Sequence, residues 1–295
     1  MNNKKALLLA GSTAALALLL SACSAENADS DGAADASAGG SGFGECEITS
    51  TPDSIAFELD DPSKLTVATV LPNPGWWNGD TPESIASGFE YCMAAEIANM
   101  AGVDRLELKN LAWDQYISGT ATGFDIAIAG TTITDERKQV FDFTTPYFES
   151  NLGIAVQKDA DVTADNLTEK TIGVLQGNMG AQYVQESLGV TPQLFQNQAD
   201  MFTALQAGQV DAVVTDTTLA LTSTNASNGA LVVVGQIKLD QGYGAVTPKG
   251  DANSAPLNEA VETLIADGTL DRLSEEWLKP FFGTDPNSIP FWTVG

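Results

Sequence analysis

The chain has 295 residues, enough for one large domain or two of ordinary size, and 43% of them are hydrophobic. That fraction excludes a globally disordered chain, because it supplies enough apolar side chain for a core. Histidine is absent, which excludes catalytic and zinc sites that depend on an imidazole. The 39 acidic residues outnumber the 13 basic ones, for a net charge of −26, so the chain repels phosphate backbones and we expect no nucleic-acid partner.

The first residues have the pattern of a secretory signal. Lys4 and Lys5 precede an apolar run from Ala6 to Leu20, which is shorter than the roughly 20 residues that a membrane-spanning helix needs. The sequence Leu-Ser-Ala-Cys that ends at Cys23 resembles the lipoprotein box of bacteria. We therefore predict a signal peptide over residues 1–22 and a diacylglycerol anchor on the Cys23 sulfur. The alternative is an ordinary signal peptide followed by an incidental cysteine.

Residues 23–45 form the next segment, and they are rich in Ala, Gly, Ser, Asp and Asn. This composition is typical of a flexible tether, so we expect a lipid-anchored protein on the outer face of the cell membrane. Cys46 and Cys92 then remain as an even pair in an oxidising compartment. We predict a disulfide between them, with two separate buried thiols as the alternative.

Short apolar strands alternate with amphipathic segments along the rest of the chain. The strands are predicted, in chain order, over residues 64–70, 104–110, 124–130, 171–177, 210–216 and 230–239. Helices are predicted over residues 89–100, 178–188, 257–265 and 270–277 and around 201–205. A further short helix is predicted to begin at Asp114, which would cap it. This alternation indicates an α/β architecture with mainly parallel sheets.

Two of the strand ends have similar sequences. GFDIAIAGTT, which ends at Thr132, aligns with QVDAVVTDTT, so that Asp125 matches Asp211 and Gly130 matches Asp216. Ligands of open α/β sheets bind at the carboxyl ends of strands, so two facing halves would place Gly130 and Asp216 across one cleft. Chance similarity between two strand-to-helix turns explains so short a match equally well.

Several residues near these strand ends could bind a small charged ligand. Arg137 lies in the first turn after a strand end, where a guanidinium could hold a carboxylate with two hydrogen bonds. Asp216 could face an ammonium group, and Asn178 with Met179 begins a helix after a glycine turn. The alternatives are a surface arginine, a helix-capping aspartate and an ordinary strand-to-helix turn.

Aromatic residues form the second set of candidates. Trp113 precedes Asp114, and Trp76 and Trp77 lie in a loop rich in Pro, Gly and Asn. Tryptophans in such loops either stack on ligands or fill the core. Core is the usual role for one of them, whereas three near two strand ends favour a pocket.

Taken in order, these segments resemble a known family. The run GFDIAIAGTTITDERKQVFDFTTPYFES resembles the signature of the family 3 extracellular solute-binding proteins of ABC importers, the amino-acid-binding group. The segments GVLQGNMG, LQAGQVDAVVTD, YGAVTPKGD and DGTLDRLSEEWL follow in the order expected of that family, so the resemblance extends from Lys64 to Trp277. The Gly-Trp-Trp loop with its paired cysteines is similar to actinobacterial members.

The resemblance implies a two-lobed fold of the type II periplasmic-binding-protein kind, in which each lobe is a mainly parallel sheet flanked by helices. Residues 47–153 and 244–295 would form lobe 1 and residues 154–243 lobe 2, joined by two hinge segments that close on a ligand.

The resemblance also implies a role for each candidate residue. Arg137 would bind the α-carboxylate of an amino acid, with Thr132 and the Gly130 carbonyl nearby, and Asp216 would bind the α-ammonium group. Asn178 and the Met179 N–H would reach the carboxylate from lobe 2, while Trp113 would stack on the ligand side chain.

Two departures from the family concern the ligand side chain. Members that bind lysine, arginine or histidine have an acidic residue where this chain has Val70, and an aromatic one where it has Asn73. We therefore expect Trp76 or Trp77 to have taken over the stacking role.

The function implied is capture of an α-amino acid or similar zwitterion for an ABC permease, by a monomer that needs no cofactor or metal and is not an enzyme. One alternative is a binder of ectoine or a betaine that uses the tryptophans as an aromatic cage. Others are an enzyme on the scaffold of the cyclohexadienyl dehydratases and a sensor domain for a membrane partner.

Overall fold

A computed structural model describes residues 42–79 and 81–294. The predicted signal peptide, Cys23 and most of the predicted tether lie outside the described residues. The strands are β1 (Leu65–Thr69), β2 (Leu106–Asn110), β3 (Ile126–Ala127), β4 (Phe141–Phe143), β5 (Phe148–Gln157), β6 (Ile172–Leu175), β7 (Gln193–Phe195), β8 (Ala212–Asp216), β9 (Leu231–Tyr243) and β10 (Val246–Pro248). The α-helices are α1 (Phe89–Met100), α2 (Trp113–Ile117), α3 (Met179–Gln182), α4 (Gln198–Gln206), α5 (Thr217–Ala226), α6 (Ser254–Ala266), α7 (Thr269–Leu273) and α8 (Lys279–Phe282).

The strands form two five-stranded sheets, one in each lobe. Sheet 1 has the order β2-β1-β3-β10-β4, and sheet 2 has the order β7-β6-β8-β5-β9. In each sheet the first three strands are parallel, and the last two pair in antiparallel fashion. The sheets are therefore more mixed than the sequence predicts. The antiparallel strands are those next to the passages between the lobes. The alternation of strands and helices in the sequence does not predict their direction.

The two sheets share one pattern of strand order, with β3 and β8 in equivalent central positions. The aspartate at the third position of each matching segment accepts an equivalent hydrogen bond. The Asp125 carboxylate accepts the Thr66 N–H at 2.7 Å, and the Asp211 carboxylate accepts the Thr171 N–H at 2.8 Å. Each bond joins the start of one parallel strand to its neighbour. The similarity between the two segments therefore reflects equivalent places in two similar lobes, rather than chance.

Helix α1 is the centre of the lobe 1 core. It is buried along almost its whole length, against α6 and α7. Gly102 follows it in the left-handed region at φ +77°, as the predicted helix stop requires. The lobe 2 core has two parts, one between sheet 2 and helices α4 and α5 and the other between sheet 2 and α3.

Several local predictions differ from the structure. Only Ile126–Ala127 of the predicted strand 124–130 pairs as a strand, although its neighbours are buried. Asp114 lies inside α2 rather than at its cap, since the capping position is Ala112. The helix predicted over 178–188 is α3 followed by a π-helical turn at Tyr183–Ser187.

The chain passes between the sheets at residues 144–147 and again at 244–245, next to the long antiparallel pair β5 and β9. It then returns to lobe 2 a further time. Residues 286–294 run alongside β9. There the Gln236 N–H donates to the Pro290 carbonyl, and the Gln236 carbonyl accepts the Trp292 N–H. The prediction that 244–295 belongs to lobe 1 is thus wrong for this last segment, which packs on sheet 2.

The N-terminal segment is fastened to α1. Cys46 and Cys92 form a disulfide, with an S–S distance of 2.08 Å. The buried Glu96 carboxylate also accepts the backbone N–H groups of Thr49 and Ser50. The start of the described chain is therefore held to lobe 1 by a covalent bond and by buried hydrogen bonds.

Candidate functional site

Arg137 lies where the two lobes meet. It begins a short 3-10 turn after β3, and only 8% of it is exposed. Its Nη1 donates to the Thr132 carbonyl of lobe 1 at 2.8 Å, and its Nη2 donates to the Gly177 carbonyl of lobe 2 at 3.1 Å. One guanidinium thus contacts the carboxyl-end turns of both sheets, as expected of a residue at a binding cleft.

Two effects act on the pKa of Arg137 in opposite directions. Burial lowers the pKa of Arg137, and the Asp216 carboxylate is the strongest of the groups that raise it again. Asp216 ends β8, is itself 7% exposed, and precedes α5. The structure therefore brings together a buried cation and a buried anion, one from each lobe.

Trp113 adds an aromatic face to this pair. The Arg137 guanidinium carbon lies 5.6 Å from the Trp113 ring centroid, a cation–π distance. The indole packs against the cores of both lobes, and its Nε1 is buried without a hydrogen-bond partner among the described residues. Gly177 faces it at φ +76°, where a Cβ would lie 3.7 Å from Nε1. Trp113 therefore lies at the interlobe contact, beside Arg137.

The Gly130 turn, residues Gly130–Thr132, completes the lobe 1 side. Gly130 has φ +56°, and Thr131 and Thr132 are buried. The Thr131 hydroxyl is hydrogen-bonded to the Tyr116 hydroxyl, and Thr132 forms a bridge to Tyr243, the last residue of β9. The turn is thus fixed on both sides, with the Thr132 carbonyl directed to Arg137.

The lobe 2 turn uses its side chains differently from the prediction. The Asn178 Oδ1 accepts the Ala181 N–H at 2.9 Å as a cap of α3, and its Nδ2 donates to Thr215 at 3.2 Å. Met179 is buried in the lobe 2 core. The Asn178 side chain is thus occupied by the fold, and the turn meets Arg137 through the Gly177 carbonyl. The predicted contact of the Met179 N–H with a carboxylate stays a prediction.

Trp76 and Trp77 require a correction. Trp76 is 1% exposed and packs edge-on against Phe89, Phe148 and Tyr243. Trp77 is 0% exposed, and its indole N–H donates to Glu90 at 2.6 Å. Both rings are buried in the core cluster that contains α1, so neither is exposed to stack on a ligand. They fill the lobe 1 core, because a loop rich in Gly and Pro can fold back onto α1.

The sequence prediction missed the residues that support the Gly130 turn. Glu90 accepts the Gly130 N–H, Tyr116 bonds Thr131, and the Tyr243 ring lies against Gly130. The available signal for Glu90 was an acidic residue in the first turn of a mostly apolar helix, which also contains Glu96. Burial raises the pKa of Glu90 to about 7, although the hydrogen bonds from Tyr147, Gly130 and Trp77 act in the opposite direction.

A groove of about 1430 Å³ lies elsewhere, along β5 and β9 beside α7 and α8. It reaches Thr217 and Thr218 but is lined by neither Arg137 nor Asp216. Its wall is a mixture of acidic, basic and apolar side chains. Its volume alone therefore does not make it the candidate site.

Two further observations concern metals and membranes. Among residues 42–79 and 81–294, no three Cys, Asp or Glu side chains are grouped so as to hold a metal ion. No helix in the described part of the chain combines the length and the apolar character needed to cross a bilayer.

Known proteins share this two-lobed fold and these motifs. Residues 65–280 match the model of the bacterial extracellular solute-binding proteins, family 3. The L-cystine-binding protein TcyJ of Escherichia coli is 32% identical over 205 residues, which cover 68% of this chain and 75% of TcyJ. The fold and site define a solute-binding protein with two α/β lobes. The chain belongs to family 3 of these proteins, which serve amino-acid ABC transporters.

Solved structures agree with this assignment. An ancestral arginine-binding protein bound to arginine is 34% identical, with a TM-score of 0.64, covering 73% of this chain and 98% of that one. An ancestral amino-acid-binding protein, described as a precursor of cyclohexadienyl dehydratase, is 30% identical with a TM-score of 0.63, covering 74% and 96%. Both are similar to this chain in fold, and both carry names that describe binding.

Proposed function

We propose that this protein captures an α-amino acid, or a similar small zwitterion, between its lobes and delivers it to an ABC permease. The observation that carries the proposal is the position of Arg137, whose buried guanidinium contacts turns of both lobes and faces Asp216. A ligand with one carboxylate and one ammonium group is complementary to this pair of buried charges. A binding role rather than a catalytic one is supported by the names of the relatives.

Desolvation gives this arrangement its selectivity. A zwitterion that enters would pair its carboxylate with Arg137 and its ammonium group with Asp216 away from water. A ligand that lacks one of these groups would forgo a charge-assisted hydrogen bond in the closed cleft, which costs on the order of 1.5–3 kcal/mol. Trp113 would cover the ligand side chain, with Thr132 and the Gly130 carbonyl as polar neighbours. The Asn178 side chain has no part in this scheme because it caps α3.

Capture would proceed by rotation of the lobes about the passages at 144–147 and 244–245. In the cell, we propose that the mature protein is a monomer held outside the cytoplasm by a lipid on Cys23. The supporting features are the basic and apolar start, the cysteine in a lipoprotein-like box and the tether that follows it. An aromatic cage for betaines is less well supported, because Trp76 and Trp77 lie in the core.

Ligand binding is tested by a thermal-shift panel of the twenty amino acids, L-cystine, ectoine and glycine betaine, followed by calorimetry. We expect one or more α-amino acids to bind, and R137Q and D216N each to weaken binding by at least 100-fold. R105Q removes an exposed guanidinium from the same lobe and is expected to bind as the wild type does. Binding of ectoine or betaine alone, or unchanged affinity in R137Q, would refute the assigned ligand class.

The anchor is tested separately by mass spectrometry of the membrane-associated protein. We expect a diacylglycerol on Cys23 and release of a C23S variant into the medium. An unmodified Cys23 on membrane-associated protein would contradict the lipoprotein assignment and leave the ligand assignment intact.

A further inference from the structure

Glu90 is a buried carboxylate that lies next to the candidate site without touching the cleft. It belongs to α1 and is 0% exposed. Its Oε1 accepts the Gly130 N–H at 2.8 Å and also the Tyr147 hydroxyl. Its Oε2 accepts the Trp77 indole N–H at 2.6 Å. Three neutral donors therefore converge on one carboxyl group that no cation neutralises within hydrogen-bonding distance among the described residues.

The groups that donate to Glu90 belong to different parts of the structure. Gly130 belongs to the turn that directs the Thr132 carbonyl to Arg137. Tyr147 ends the first passage between the lobes, and its backbone N–H donates to Tyr243, which ends β9 at the second. The Glu90 carboxyl group thus joins the binding turn to the point where both passages meet.

A buried carboxyl group of this kind destabilises the fold, so its presence indicates a role that an apolar side chain cannot perform. Burying a carboxylate costs several kcal/mol, and neutral hydrogen bonds recover only part of that. An aliphatic residue at this position would fill the same volume in α1. It would leave the Gly130 N–H without an acceptor and free the turn to move.

We propose that Glu90 is a positioning residue for ligand binding, which fixes the Gly130 turn and ties it to Tyr147 where the lobes are joined. This inference rests on the proposed function. Glu90 does not touch the ligand, and it acts through the place and orientation of the Gly130 and Thr132 backbone.

The geometry allows a specific chemical test. In an E90Q variant the single amide oxygen can occupy only one of the two carboxylate positions. If it accepts from Gly130, the amide NH₂ faces the Trp77 N–H, and if it accepts from Trp77, the NH₂ faces the Gly130 N–H. Either choice opposes two donors. Removing the indole N–H with W77F lets the oxygen return to Gly130, so E90Q/W77F should recover what E90Q loses.

The matched control is Glu96. It lies on the same helix, is equally buried, and also accepts several hydrogen bonds, but those come from Thr49, Ser50 and Arg272 at the N-terminal segment. E96Q is expected to lower stability as E90Q does, without a specific effect on binding.

The experiment measures the affinity of wild type, E90Q, W77F, E90Q/W77F and E96Q for L-cystine and L-arginine by calorimetry. Hydrogen exchange of the Gly130 amide is followed by NMR on the same proteins without ligand. We expect E90Q to weaken binding about tenfold and to speed Gly130 exchange. W77F and E96Q should change neither by more than about twofold, and E90Q/W77F should match W77F.

The outcomes separate the two proposals. If neither probe binds the wild type, the ligand assignment fails for these amino acids, and the Gly130 exchange rates still decide the role of Glu90. If the wild type binds and E90Q behaves as E96Q does in both measurements, Glu90 is only structural. Failure of W77F to restore E90Q would also overturn the proposal.

Discussion

The indole ring of Trp292 lies directly on the α-carbon of Gly235. A Cβ at position 235 would lie 2.2 Å from Trp292 Cε2, closer than side chains approach one another. Residue 235 is in β9 of sheet 2, and residue 292 follows the last helix of lobe 1. The glycine thus leaves room for the segment by which the chain reaches lobe 2 a last time. Gln236 holds the same segment through its side-chain bonds to the carbonyls of Pro286 and Ile289.

This contact predicts a cost for G235A that depends on Trp292. The added methyl group should displace the indole and lower the free energy of unfolding by about 1–3 kcal/mol. In a W292A background the same change should be nearly neutral, because the obstructing ring is gone. Urea unfolding of the four proteins measures both costs. Because the chain has five tryptophans, the exposure of Trp292 is measured as the difference in acrylamide quenching between proteins with and without that residue. If G235A lowered the free energy of unfolding equally in the two backgrounds, the cost would not come from a clash with the Trp292 ring, which would contradict this account.

The equivalent aspartates of the two lobes should differ in their contribution to stability. Asp125 is 3% exposed and accepts the N–H groups of Asp60 and Thr66, whereas Asp211 is exposed and accepts only that of Thr171 among the bonds observed. We expect D125A to lower the free energy of unfolding by about 3 kcal/mol and D211A by about 1 kcal/mol or less. Paired urea titrations provide the comparison, and a larger loss in D211A would contradict this account.

The disulfide should contribute mainly by restricting the unfolded chain. Cys46 and Cys92 are 46 residues apart in sequence. For a loop of that length the chain-entropy model gives about 4 kcal/mol. We expect C46A/C92A to lose about that much free energy of unfolding and to keep its affinity for its amino acid, since neither cysteine is near Arg137. A loss below about 1 kcal/mol would show that the unfolded chain is already restricted in this region.

Glu90 also predicts how stability depends on pH. Burial raises its pKa in the folded protein to about 7 from an ordinary value of 4.5, with Tyr147 as its titratable neighbour. Between these values the folded state holds a proton that the unfolded state has lost. Glu90 therefore makes the protein less stable as pH rises from 4.5 to 7, by up to about 3 kcal/mol, with no further change above that range.

Many other carboxylates titrate in this chain, so the measurement is the difference between wild type and E90Q at each pH. That difference should shift in favour of E90Q as pH rises through the window and then level off. A constant difference from pH 4 to 8 would mean that Glu90 ionises equally easily in both states.

The local motifs were enough to predict much of the fold and of the site. The end of β8 at Asp216 and the turn that holds Arg137 follow from short stretches of sequence, whereas β3 ends at Ala127 rather than at Gly130. Their chemistry depends on the chain immediately around them, because the carboxyl ends of parallel strands meet at one edge. The family was identified from the resemblance of several motifs in the expected order, and that resemblance implied the two-lobed architecture.

The tertiary structure alone decided which tryptophans are buried in the core, where the last segment lies and which groups are hydrogen-bonded to the Gly130 turn. Trp76 and Trp77 are adjacent to glycines in a loop, and nothing local shows that the loop folds onto α1. Glu90 meets Gly130 across 40 residues and Tyr147 across 57. Contacts of this kind depend on how the lobes are assembled, and a pattern of period two or 3.6 carries no information about them.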